Sequence, residues 1–214
     1  MDQRIGFPAL VCLALIATTG CSSNPKGPER SAAAVESLRD TKDQLSKADA
    51  QVGETITSLN TLMGQNSGDL RPTFNKFSDE IRQTREMAEA ASNRAAAMRE
   101  RTNEYVTQWQ AEQKAITDPE LQRMSQERAS RATAQFDRVR SVAQETRAAY
   151  QPWMQSLTDV QTFLANDLTS AGVTAAKPKA MRAVDQGNAL RAKIGQLEAE
   201  IDRVAATWSS AAGR

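Results

Sequence analysis

From Leu70 to Ile116 one stripe of residues recurs at steps that alternate strictly between four and three: Leu70, Phe74, Phe77, Ile81, Thr84, Ala88, Ala91, Ala95, Met98, Thr102, Tyr105, Trp109, Glu112 and Ile116. Only Thr84, Thr102 and Glu112 are neither apolar nor aromatic. A mean step of 3.5 keeps such a stripe against a partner only if two helices supercoil left-handedly. At 1.5 Å per residue the stripe is about 70 Å long, several times an ordinary helix, so the element is a rod and needs rods beside it. Aromatic residues are only 5% of the 214, which argues against a thick spherical core. The uninterrupted stretches rich in Ala, Arg, Gln, Glu and Ser favour helix over strand.

The rest of the chain from Ser31 onward repeats the helical period. A first helix places Val35, Leu38, Leu45, Val52, Ile56, Leu59 and Met63 on one stripe and ends at the breaker run Gly64, Gln65, Asn66, Ser67, Gly68. Asp118 before Pro119 is an N-cap followed by proline at the first helical position, so a third helix starts there. Its stripe runs Ala129, Ala132, Phe136, Val139, Ala143, Thr146, Tyr150, Trp153, Leu157, Val160, Leu164. Pro152 falls inside this register and predicts a kink without a stop. Ser170 and Gly172 read as a loop, with Pro178 opening a fourth helix that carries Val184, Leu190, Ile194, Leu197, Ile201, Val204 and Trp208 and is weakened by Gly187. The expected fold is all-α: an elongated antiparallel four-helix bundle or coiled coil. Counting register from the turns leaves Asn103 to about Phe136 uncovered by the outer helices, a protruding two-helix hairpin. Ala91 is expected opposite Ala143, where small residues permit close backbones.

The N-terminus reads as an address. Arg4 precedes an uncharged, mostly apolar run from Ile5 to Ala17, then Thr18, Thr19 and Gly20 ahead of Cys21. That run is too short to span a bilayer and fits a secretory signal. The small-residue site ending at Cys21 resembles the lipobox of bacterial lipoproteins, although Thr18 stands where such a site usually has Leu. By that resemblance Cys21 is acylated and becomes the mature N-terminus, and Ser22 after it implies the outer membrane. The expected organisation is a lipoprotein signal peptide at 1–20, a flexible tether at 21–30 that includes Pro25, Gly27 and Pro28, and one helical coiled-coil domain at 31–210.

Chemistry is sparse. Histidine is absent and the two cysteines are Cys12, inside the removed segment, and Cys21; the mature chain has no free thiol, and the commonest general base and metal ligand is missing. Glu198 and Asp202 share a helix face, but Glu200 points away and nothing completes a metal site. No catalytic residues, metal or cofactor are expected, and the chain is not expected to be an enzyme. Lys plus Arg is 27 and Asp plus Glu is 26, which gives no broad field for nucleic acid. Two surfaces stand out. The hairpin holds Tyr105, Trp109, Leu121 and Met124, apolar and aromatic residues with few neighbours that suit contact with a protein partner in the envelope. The third helix is Arg-rich, and Arg123, Arg128, Arg131 and Arg138 suit contact with an anionic ligand such as lipopolysaccharide or peptidoglycan.

The stretch Tyr105-Val106-Thr107-Gln108-Trp109, with Leu121, Gln122, Arg123 and especially Tyr150-Gln151-Pro152-Trp153-Met154 running to Asp159, Phe163, Leu164 and Leu168, resembles domain-of-unknown-function family 2959, uncharacterised bacterial envelope lipoproteins. The resemblance implies a long-helix protein of the cell envelope and carries no catalytic residues. Together these readings describe a non-enzymatic structural or adaptor lipoprotein facing the periplasm, anchored to the membrane through Cys21. The alternative is binding of anionic envelope polymer or lipid through the third helix.

Overall fold

A computed structural model describes residues 27–65 and 67–212. The signal peptide, Cys21 and the tether as far as residue 26 lie outside the described residues. Four helices account for nearly all of the rest: α1 (Gly27–Gly64), α2 (Arg71–Gln113), α3 (Pro119–Asn166) and α4 (Ser170–Ala212). No strand occurs among the described residues. Each helix packs on its chain neighbour and α4 returns to α1, while α1 and α3, like α2 and α4, lie diagonally apart. The result is an antiparallel up-down-up-down bundle whose longest member, α3, is about 72 Å at 1.5 Å per residue.

The stripes are the core. Leu38, Leu59, Phe77, Ile81, Leu157 and Ile201 are essentially removed from water. Each non-apolar member of the α2 stripe is satisfied. The Thr84 and Thr55 hydroxyls share a 2.7 Å hydrogen bond, Thr102 donates to the Met98 carbonyl, and Glu112 accepts from Arg30 at 2.6 Å. Glu112 is therefore tolerated because a cation meets it and because its side chain stays 54% exposed.

The termini follow capping chemistry. The Asp118 carboxylate accepts from the Leu121 amide at 2.9 Å with Pro119 next in sequence, as its cap pattern requires. Gly68 closes the first turn at φ 92°, a left-handed conformation that side chains disfavour. The helix α3 runs continuously through Pro152.

Four expectations change. The helix α1 begins at Gly27, inside the segment read as tether, since Pro28 in a first turn loses no intrahelical bond. The helix α4 starts at Ser170 and Pro178 lies within it. Its start is set by Thr169, whose hydroxyl accepts from the Gly172 amide at 3.0 Å, so the Ser170–Gly172 stretch is a capped first turn. Gly172 is needed there because a Cβ would meet the Asp167 carbonyl oxygen at 2.1 Å. Gly187 is likewise a packing site: a Cβ would lie 2.8 Å from Ile56 Cδ1 and 2.9 Å from Trp153 Nε1. The fully buried Trp153 occupies the space this glycine leaves.

Ala91 and Ala143 provide the fourth correction. Both line a cavity where close backbones were expected. The pair α2–α3 touches least of the four neighbouring pairs, because larger residues above and below this level hold the helices at their own spacing.

Candidate functional site

The hairpin end is built around an aromatic chain. Tyr105 packs at a tilt on Trp208 at 4.9 Å and edge-on to Trp109 at 5.6 Å, and Phe136 meets Trp208 at 4.6 Å. Trp208 donates to Gln135 Oε1 and Trp109 to Ser125 Oγ, at 2.9 and 3.0 Å. Burial pushes the Tyr105 hydroxyl above its usual range, offset in part by a hydrogen bond with Ser31. Gln113, the last residue of α2, is buried and donates to the Ser125 carbonyl.

This cluster shortens the bare hairpin. Tyr105 and Phe136 both pack on Trp208 near the end of α4, and Arg30 from α1 reaches Glu112. The segment Asn103–Phe136 is thus covered at both its ends, because α1 starts earlier and α4 reaches further along α3 than turn counting implies. What stays uncovered is the turn after Gln113 and the first turns of α3. There Leu121 and Met124, three residues apart and so on one helix face, are 57% and 48% exposed. Of the expected contact residues, Leu121 and Met124 form an open apolar tip, whereas Tyr105 and Trp109 are half-buried behind it.

The third-helix arginines are exposed but engaged. Arg123 and Arg131 both pair with Glu127. Arg138, together with Arg203 from α4, meets the buried Glu200. Arg128 lies 5.9 Å over the Trp109 ring, a cation–π contact that ties it to the hairpin cluster.

A cavity of about 680 Å³ opens midway along the bundle between α2 and α3. Ala88, Ala91 and Ala95 from α2 and Ala143 from α3 form its walls, while Leu45, Met98, Phe136, Val139, Leu190 and Ile194 form its floor. Its mouth carries exposed Arg85, Arg99, Arg140 and Arg147, with Glu89 the acidic member. Arg85 donates to Thr158 and Arg140 pairs with Asp137; among the described residues Arg99 and Arg147 take part in no ion pair. The sequence signal was present as three consecutive alanines on the α2 stripe, which mark either a close contact or a gap. Among the described residues no three metal-capable side chains cluster, and no helix is long and apolar enough to cross a membrane.

These features define an elongated four-helix bundle with a cleft on one seam and an apolar tip at one end. The chain belongs to the family described as Protein of unknown function (DUF2959), whose model matches residues 24–208. No curated protein matches it. No solved structure matches it either.

Proposed function

We propose that the chain is a non-enzymatic lipoprotein of the cell envelope, held at the outer membrane facing the periplasm by an acylated Cys21, and that it works as a structural or adaptor element through its hairpin tip. The observation that carries this reading is the exposure of Leu121 and Met124 beside a rigid, capped turn. An apolar pair presented on a stiff two-helix end suits docking better than solvation. The Arg30–Glu112 ion pair supports the placement of the tip, since it brings the start of α1 to the same end. Only five residues separate Cys21 from Gly27, and the six steps between them reach about 20 Å even when fully extended. An acyl anchor on Cys21 would therefore hold the tip close to the bilayer, and the partner is expected to be a membrane-adjacent envelope protein.

The alternative, anionic polymer or lipid on Arg123, Arg128, Arg131 and Arg138, is supported less well. Those side chains already meet Glu127, Glu200 or the Trp109 ring, so an anion would have to displace an existing partner.

Two measurements test the reading. A photo-crosslinking side chain at Leu121, introduced in cells, should yield one dominant envelope adduct that the same probe at Ala134 does not. Cys21→Ala should abolish palmitate labelling and lower that adduct. Equal adduct patterns at the two positions would remove the adaptor role, and undiminished palmitate labelling would remove the anchor.

A further inference from the structure

The cleft between α2 and α3 is unusual in how it is made. The α2 stripe supplies alanine at three successive contacts, and α3 supplies Ala143 at the same level. Left to themselves, such residues would let the helices close. They do not close, because wedges stand at both ends: Phe77 and Trp153, fully buried, on one side, and the Tyr105–Trp208–Phe136 cluster on the other. The floor is held independently, since α1 packs on both α2 and α4, and α4 on α3. The opening is therefore a built feature of the bundle. Its lining runs from Thr84 to Asn103 along α2, about 28 Å at 1.5 Å per residue, and its volume falls within the range of small-molecule sites.

The charge at the mouth selects among ligands. Four arginines from two helices face one glutamate. Like charges gathered around an apolar opening repel, and two of them, Arg99 and Arg147, find no ion partner among the described residues. A guanidinium offers paired donors that match a carboxylate or phosphate. The interior offers the reverse: small and branched hydrocarbon side chains, with the Thr84 and Thr102 hydroxyls already bonded within the protein. A long apolar channel under a cationic rim is complementary to a molecule with an extended hydrocarbon chain and one anionic end.

We propose that this cleft binds a single-chain anionic lipid, its acyl chain lying along Ala88, Ala91, Ala95 and Ala143 and its head group held at the mouth by Arg99 and Arg147, with Arg140 on the same rim. The site uses none of the tip residues and stands or falls separately from the adaptor reading.

The test is photolabelling of the full chain in its own membranes with diazirine-bearing palmitate, with the matching lysophosphatidate, and with the matching uncharged alcohol, followed by mapping of the labelled residues. Label from one or both anionic probes should concentrate on residues 88–98 and 139–147, the stronger of the two identifying the head group. The alcohol should label the cleft at least fivefold less. Ala143→Phe, which fills the channel, should lower the anionic label in the cleft at least fivefold, as should the rim double variant Arg99→Glu with Arg147→Glu. The rim positions are exposed, so that variant decides the matter if Ala143→Phe fails to fold. Label confined to other segments, equal labelling by the alcohol, or cleft label unchanged in the folded rim variant would each overturn the proposal.

Discussion

The half of the bundle that holds the α1–α2 and α3–α4 turns and the half that leads to the hairpin use the same four helices and the same stripe period, yet they differ in density. In the first, Leu59, Leu62, Phe77, Ile81, Trp153 and Leu157 are sealed from water. In the second, Leu38 and Ile201 are sealed as well, but alanines leave a cleft between α2 and α3 and Tyr105 and Trp109 are half-buried; exposed apolar side chains occur in both halves, Leu121 and Met124 at the hairpin and Phe163 and Met181 toward the other end. Period determines which side of a helix meets its neighbours, whereas side-chain volume determines how completely that side is filled. A bundle can thus keep one register throughout, with the seam between α2 and α3 filled in one half and left open in the other.

The contrast is broken most sharply at Trp153. Trp153→Ala should lose about 3–5 kcal/mol, the usual cost of truncating a buried aromatic, measured by urea denaturation of the folded chain. A loss below about 1 kcal/mol would mean that the dense half is not what holds the bundle.

The next effect sets two glycines of α4 against each other. In Gly187→Ala the new methyl meets Ile56 and Trp153 below 3 Å, and overpacking should outweigh the better helix propensity and destabilise by about 1–2 kcal/mol. In Gly195→Ala nothing lies within 4 Å, so propensity alone acts and stability should rise by about 0.5–1 kcal/mol. Thermal melts of the two variants side by side check the sign, and a gain at both positions would show that the dense half has slack.

At the open end, Trp109→Ala should cost only about 1–2 kcal/mol, because much of its surface stays in water, while weakening the crosslink from Leu121 severalfold through loss of the Ser125 hydrogen bond and the Arg128 contact. A loss as large as that of Trp153→Ala, with the crosslink intact, would make the two halves equivalent.

The smallest effect concerns pH. Burial, and then the nearby Asp49 carboxylate, raise the Glu198 carboxyl above its usual range, with Lys42 opposing. A raised carboxylate favours the protonated form in the folded state, so it costs stability above its folded pKa and costs nothing below its unfolded one. Glu198→Gln should therefore melt slightly higher than the parent at pH 7. The gap should close as pH falls through the acidic range, and a gap that widens on acidification would reverse the assignment.

Much of the fold was legible because it rests on local rules. The α2 stripe from Phe74 to Glu112, the Asp118–Pro119 cap and the continuity of α3 through Pro152 each follow from residues within a few turns of one another, whereas the last expected stripe position, Ile116, falls in the turn beyond the end of α2 at Gln113. The start of α4 was misread because Ser170 and Gly172 resemble a loop until Thr169 is seen to cap them. The tip residues Leu121 and Met124 could be named in advance, but Tyr105 and Trp109 could not be placed behind them, since that depends on Trp208, a hundred residues away in the chain. The arginines singled out by their density on α3 are mostly occupied, whereas Arg99 and Arg147, in no ion pair among the described residues, lie on different helices and share no sequence pattern.

The sequence by itself determined that this chain is a bundle of four long antiparallel helices, because helical period, breakers and caps are written in neighbouring residues. Tertiary structure alone decided which helices close on each other and which stand apart. Alanine stripes are compatible with either a tight seam or a cleft, and the choice fell to Trp153, which Gly187 makes room for, and to the Tyr105–Trp208–Phe136 cluster, whose side chains set the spacing of helices that are far apart in the chain.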